Sequence, residues 1–280
     1  MSDQRDWFTW TPAVATEAAC RFYSQHTRDV QYAASASLIL EHYEKLVRGI
    51  GSTFSHVAPD GDPEKIFPEF YSNVRGMKKT VEKLAPVSAE FGVTRSVENF
   101  LVYVSDVISE VLIVCPSLLK SQEQVTLEDV LQHGTITEFV SWAAEKRVAQ
   151  LSFQGLDDIA QYVTKRLGLN LHQDEDDWVS LKKGIQLRNL IVHRRSRVDE
   201  RFIRLTGEKG LVRGSSYPTT MPDYVRTARS AMKIVSEFDA KVAQKFPVER
   251  RSTVDEDWYS EGRWGPDGRK AKSGPSSSSV

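Results

Sequence analysis

The fold is decided by residues 96–114, which read SVENFLVYVSDVISEVLIV. Apolar side chains recur there at steps of three and four residues, namely Phe100, Tyr103, Val107, Val111 and Val114. Because such steps place side chains on one face of an α-helix, the stretch predicts a helix buried along that face. Asp106 and Glu110 interrupt the apolar run and Pro116 follows it, so the pattern favours a core helix over a membrane span.

Helical spacing continues on both sides of this stretch. The predicted helices cover about residues 13–50, 64–84, 137–151 and 155–167, a segment ending near His193, and residues 223–245. Gly49 and Gly51 are expected to close the first helix, and Pro68 is expected to start or kink the second. Pro86 is expected to break the chain. No stretch alternates convincingly with a period of two, so the chain is predicted to be all-α.

Local signals predict several helix ends. Thr126 and Asp129 resemble a capping box, and Gly168 is expected to cap the end of the helix before it. The acidic run 174–177 superficially resembles a nuclease metal cluster. Four consecutive carboxylates cannot all converge on one pair of metal ions, whereas acidic residues belong at a helix N-terminus. We therefore expect the run to cap a helix.

Composition excludes several classes of protein. The 280 residues carry a net charge of −1, so attraction to nucleic acid would have to come from a local patch. Only two cysteines are present, far apart, which excludes a disulfide scaffold and a cysteine-based zinc site and suits a cytoplasmic location. The polar N-terminus lacks a signal-peptide pattern. No nucleotide or hydrolase fingerprint and no metal-ligand spacing of histidines occurs, so we expect no cofactor and no metal.

One hexapeptide carries candidate chemistry: Arg188-Asn189-Leu190-Ile191-Val192-His193. Asn189 and His193 are four residues apart and share a helix face, whereas Arg188 lies about 140° from His193 and would have to curl toward the same rim. An imidazole titrates near neutrality and can exchange a proton with a ribose 2′-OH or with the leaving 5′-oxygen. A guanidinium matches a phosphate and can stabilise the charge of the transition state. The residues therefore suit RNA cleavage.

Positive charge is concentrated around this hexapeptide. Residues 182–204 contain eight basic and two acidic residues, a net charge of +6 with His193 neutral. We predict that Lys183, Arg194, Arg195 and Arg197 bind RNA phosphates. The alternative is that the arginines only keep the surface soluble.

The arginine and histidine, five positions apart, resemble the signature of HEPN domains, a family of all-α domains. The string from Arg188 to His193, with Val198-Asp199-Glu200-Arg201-Phe202 after it, is particularly similar to HEPN proteins of the RiboL-PSP-like kind. Val97-Glu98-Asn99-Phe100 resembles the opening of the family's first core helix, where a polar residue often faces the site, and Glu98 is assigned that position.

The resemblance implies a four-helix HEPN-like core over residues 96–246. Residues 1–95 would form an additional helical N-terminal region of unknown role, and residues 247–280 are expected to be a polar, disordered tail. The resemblance further implies a homodimer with a composite cleft and metal-independent endoribonuclease activity. His193 would be the general base or acid, Arg188 would stabilise the transition state, and Asn189 would orient the phosphate or His193.

The products would be a 2′,3′-cyclic phosphate and a 5′-hydroxyl, since the 2′-OH is the nucleophile. The resemblance also suggests a toxin or antiviral defence effector that an antitoxin or a regulatory protein inhibits. Two other functions stay open. The basic cleft would hold RNA, a nucleotide or a protein without catalysis, or the motif helix would serve only as a dimer contact.

Overall fold

The described part of the chain is mostly helical, with only two short strands. A computed structural model describes residues 6, 8–57, 62–119, 126–152 and 155–253. The helices are α1 Glu17–Val57, α2 Pro63–Ile66, α3 Pro68–Val114, α4 Leu127–Leu131, α5 Ile136–Ser152, α6 Leu156–Tyr162, α7 Glu175–Arg194, α8 Glu200–Thr206 and α9 Met221–Lys245. A 3-10 turn covers Pro116–Leu119, and a π-helical turn over Val163–Leu167 continues α6. The prediction of an all-α fold is confirmed.

Helix α3 is the centre of the packing. Helices α1, α5, α7 and α9 all contact it. Four of the five side chains that predicted its buried face are at most 1% exposed, namely Phe100, Tyr103, Val107 and Val111. Burying a large apolar side chain stabilises a fold by about 1.5–3 kcal/mol, so this face is a main source of stability. Val114 is 39% exposed because the helix ends there. No helix among the described residues is both long enough and apolar enough to cross a membrane.

The first turn of α1 is inserted into this core and capped by two acidic side chains. Asp239 accepts a hydrogen bond from the Thr16 backbone N–H at 3.1 Å. Glu110 accepts one from the Ala18 N–H at 2.7 Å. These bonds satisfy N–H groups that a helix start leaves without partners. Burial, with a smaller contribution from nearby carboxylates, raises the pKa of Glu110 to about 7.

A short two-stranded pairing joins the two ends of the described chain. Strand β1, Val14–Thr16, pairs antiparallel with β2, Arg250–Ser252, so that Val14 lies opposite Ser252. The polar tail, which was expected to be disordered from residue 247, therefore begins with an ordered segment. Its strand β2 supplies hydrogen-bond partners for the backbone of β1. Residues 254–280, the rest of that tail, lie outside the described residues.

The two glycines expected to end the first helix do not end it. Helix α1 continues through Gly49 and Gly51 to Val57. A Cβ placed on Gly51 would lie 3.0 Å from the Tyr71 hydroxyl of α3. Gly51 thus serves the close approach of α1 to α3, and the prediction of a helix end at these positions is wrong.

The break expected at Pro86 is also absent, since α3 is continuous from Pro68 to Val114. A proline inside a helix costs about 3 kcal/mol or more. The helix beyond it buries Ala89 and Val93 completely, and this packing offsets the cost. Pro68 opens α3 as expected. The domain boundary expected between residues 95 and 96 falls inside this unbroken helix.

The predicted caps are confirmed. Thr126 and Asp129 form a reciprocal capping box at the start of α4. Asp174 accepts hydrogen bonds from the N–H groups of Asp176 and Asp177 and so caps α7. Gly168 ends the π-helical turn with a φ of 61°, in the left-handed region. These ends depend on local chemistry, which is why the sequence alone identifies them.

Candidate functional site

Helix α7, which carries the candidate motif, lies unusually close to α9. A Cβ on Gly184 of α7 would be only 2.4 Å from Cγ2 and 2.7 Å from Oγ1 of Thr227. The Thr227 hydroxyl donates to the Asp223 carbonyl at 2.8 Å, which holds the side chain in place. Only glycine fits at position 184, and its absent side chain sets the distance between the two helices.

A charged cluster fixes the N-terminus of α7 on α9. The Lys233 ammonium donates to Asp174 at 2.8 Å and to Asp177 at 2.6 Å. Ser230 donates to the other oxygen of Asp177 at 2.9 Å. Although desolvation lowers the pKa of Lys233, its hydrogen bonds to the two carboxylates raise it more, so the pKa lies above its ordinary value. The acidic run expected to cap the helix therefore also ties α7 to α9.

At its other end α7 is followed by a tight reversal. Arg195 and Ser196 have φ angles of 51° and 60°, in the left-handed region that non-glycine residues rarely adopt. Ser196 is buried, donates its hydroxyl to Glu90 and accepts the Tyr217 N–H at 2.8 Å. These bonds hold the reversal in place. As a result, α8 folds back beside the last turns of α7.

A cavity of about 360 Å³ opens between α7 and α8. Its lining consists of Gln186, Asn189, Leu190, His193, Arg194, Asp199, Arg201 and Phe202. Helix α7 supplies one continuous face, because residues 186, 189, 190 and 193 recur at helical spacing. The volume falls within the range of small-molecule sites, so one nucleotide-sized group fits.

Two of the three predicted catalytic residues line this cavity together. Asn189 and His193 lie on the face of α7 that the cavity exposes, and His193 is solvent-exposed. An accessible imidazole beside an amide can exchange a proton with a bound ligand.

Arg188, the third predicted catalytic residue, does not line the cavity. Its guanidinium donates through Nη2 to Glu98 of α3 at 3.3 Å and through Nη1 to Asn189 Oδ1 at 3.2 Å. Its Nε is buried and has no hydrogen-bond partner among the described residues. The Arg188 side chain projects from α7 about 140° around the helix axis from that of His193, and it therefore points toward α3. Glu98, assigned to the site from the sequence, thus lies beside Arg188 and outside the cavity lining.

The four predicted RNA-binding residues are separated. Arg194 lines the cavity and forms an ion pair with Asp199 at 3.5 Å. Arg195 is exposed at the reversal, and Arg197 donates to the Gly214 carbonyl at 3.2 Å. Lys183 is paired with Glu208 and does not line the cavity. Only Arg194 therefore joins Asn189 and His193.

Five lining residues were not predicted to belong to the site: Leu190 and Asp199, which lie within the quoted strings, and Gln186, Arg201 and Phe202. Gln186 precedes Asn189 by three residues and His193 by seven, so helical spacing was a signal for it. Arg201 was counted only as part of the basic segment, and Phe202 only as part of the family resemblance. The reversal at residues 195–196 brings both to the cavity, and no local pattern encodes that reversal.

The site offers hydrogen-bond donors and an imidazole that can transfer a proton. One imidazole, two guanidinium groups, two carboxamides and one carboxylate line the cavity, and the carboxylate, Asp199, is paired with Arg194. Within the described residues, no three histidine, cysteine or acidic side chains come together as metal ligands. Such a lining suits an anionic ligand that also carries neutral polar groups, as a nucleotide does.

Searches against family models, curated proteins and solved structures find no match for this chain. The HEPN resemblance therefore stays a prediction that rests on the residues quoted for it.

Proposed function

We propose that this chain is a metal-independent endoribonuclease with its active site in the cavity between α7 and α8. The observation that carries the proposal is that an exposed imidazole, His193, shares one cavity with Asn189 and with the guanidinium groups of Arg194 and Arg201. The cationic groups would hold a phosphate, and the imidazole would act on the ribose next to it.

In the proposed reaction His193 removes the proton of the ribose 2′-OH. The 2′-oxygen attacks the adjacent phosphorus, and the bond from phosphorus to the 5′-oxygen breaks. The leaving oxygen takes up a proton, and the products are a 2′,3′-cyclic phosphate and a 5′-hydroxyl. In the homodimer that the resemblance implies, the imidazole of a second copy supplies that proton. Arg194 and Arg201 stabilise the charge that builds on the phosphate oxygens.

We assign Arg188 a positioning role in the resting site and a phosphate-binding role once RNA enters. Its bond to Asn189 Oδ1 leaves the NH₂ group of that amide as the donor for a ligand. A phosphate at the mouth of the cavity would compete with Glu98 for the guanidinium, because both are anions and Arg188 binds Glu98 through a single contact.

The test is cleavage of a single-stranded RNA by the purified protein in EDTA. We expect cyclic-phosphate and 5′-hydroxyl ends, and we expect His193→Ala to lower the rate by about 10²–10⁴-fold, the usual contribution of a general base or acid. Arg188→Ala should also lower it. His56→Ala, at an exposed histidine of α1 outside the cavity, should leave it unchanged. Full activity of His193→Ala, or cleavage only when divalent metal is added, contradicts the proposal.

A second candidate function is RNA or nucleotide binding without catalysis. The ion pair between Arg188 and Glu98 favours it, because a guanidinium held by a carboxylate outside the cavity stabilises no transition state inside it. Under this alternative the protein binds RNA with an affinity that falls as salt rises, yet leaves it intact. A role as a toxin or defence effector, and an antitoxin partner, stay predictions from the resemblance alone.

A further inference from the structure

We propose that Gln186 reads the base of the nucleotide whose ribose 2′-OH is deprotonated by His193, and that it selects adenine. This inference rests on the proposed function, since it takes the cavity to hold one nucleotide of an RNA strand. It adds a specificity-determining residue that the motif does not contain.

The first argument is position. Gln186 and His193 both line the cavity, and both lie on one face of α7. Seven residues of α-helix separate them by about 10 Å along the axis. A nucleotide spans a similar length from its phosphate to the far edge of its base. With the ribose and phosphate at His193 and Arg194, the base extends along α7 toward Gln186.

The second argument is hydrogen-bonding capacity. Asn189 has its amide oxygen engaged by Arg188 at 3.2 Å, which leaves it as a donor. Gln186 makes no side-chain hydrogen bond to any residue that the structure describes, so its oxygen and its NH₂ group are both available. A carboxamide with both groups available forms a bidentate pair with the N6 amino group and the N7 acceptor of adenine. Guanine presents two acceptors on that edge and fits less well. A pyrimidine is one ring shorter than a purine, so its donor and acceptor would lie farther from Gln186 when its ribose lies at His193.

The third argument is the apolar part of the lining. Leu190 and Phe202 form its floor: both are at most 3% exposed, and Phe202 is held edge-on against Tyr217 with ring centroids 5.2 Å apart. Single-stranded RNA bases are recognised by apolar or aromatic contact to their faces together with hydrogen bonds to their edges. The cavity thus combines cationic side chains that would bind the phosphate with apolar and amide side chains that would contact the base.

The test uses four DNA oligonucleotides, each with one ribonucleotide (A, C, G or U) as the only cleavable position. We expect the wild-type protein to cleave after A about tenfold or more faster than after the other bases, the discrimination typical of a bidentate pair. Gln186→Ala should bring the four rates within about threefold of one another. Gln161→Ala, at an exposed glutamine of α6 outside the cavity, should keep the preference. Ratios among bases are insensitive to a general loss of folded protein.

Calorimetric binding of adenosine 3′-monophosphate and cytidine 3′-monophosphate separates this inference from the nuclease proposal. Adenine-selective binding that Gln186→Ala abolishes supports the inference even if no oligonucleotide is cleaved. Cleavage whose base preference survives in Gln186→Ala overturns the inference and leaves the nuclease standing. Absence of both cleavage and selective binding overturns both.

Discussion

Replacing Gly184 by alanine tests whether the contact between α7 and α9 sets the position of the site helix. The added Cβ would begin 2.4 Å from Thr227 Cγ2, about 1 Å inside normal contact distance. Forcing extra atoms into a packed interior costs about 1–3 kcal/mol, whereas glycine to alanine within a helix gains about 1 kcal/mol. Thr227 is β-branched and hydrogen-bonded, so it yields little, and the upper end of that cost applies. We expect Gly184→Ala to lower the free energy of unfolding by about 2 kcal/mol.

The measurement is urea unfolding followed by circular dichroism, with two comparison variants. Gly76→Ala in α3 meets nothing within 4 Å and should stabilise the protein by up to about 1 kcal/mol. The double variant Gly184→Ala with Thr227→Ala should be more stable than the sum of the two single changes predicts, because the second change removes the atoms that the first one strikes. A Gly184→Ala protein as stable as Gly76→Ala would refute the reasoning.

Two further predictions concern acidic side chains. Between pH 4.5 and about 7 the folded state holds a proton on Glu110 that the unfolded chain releases, so the contribution of Glu110 to the free energy of unfolding falls as pH rises through this range. Glu110→Gln should remove about 2 kcal/mol of that fall, a figure that allows for the solvent that still reaches the carboxyl group. Thermal melts of both proteins at pH 5 and pH 8 measure the difference. Equal pH dependence in the two proteins would contradict the assignment. Asp174→Ala should lower the urea midpoint because it removes the α7 cap and a partner of Lys233, whereas Asp176→Ala, in the same acidic run, should leave it nearly unchanged. Equal midpoints for these two variants would show that the cap is not what stabilises α7.

The parts of the fold that depend on residues close together in the sequence were predictable from it. Helical spacing identified the buried face of α3, and side-chain chemistry identified the caps at Thr126, Asp174 and Gly168. The failures at Gly51 and Pro86 have another origin. Whether a glycine or a proline ends a helix depends on what packs against it, and that partner lies elsewhere in the chain.

The candidate site divides in the same way. Helical geometry placed Asn189 and His193 on one face, and both line one cavity. Helix geometry placed Arg188 about 140° from His193, but its pairing with a carboxylate ninety residues earlier in the chain was not predictable. Arg201 reaches the cavity only because of a reversal between α7 and α8, and that reversal is held by contacts distant in sequence.

At Arg195, in the reversal after α7, the backbone conformation and the charge of the surface favour different residues. A residue with a φ of 51° is where many helices place glycine, since a side chain there strains the backbone. Glycine would relieve that strain but would remove a cation two residues after His193, the proposed catalytic imidazole. At position 195, a more stable protein would therefore favour glycine, whereas the proposed binding of RNA would favour a cation.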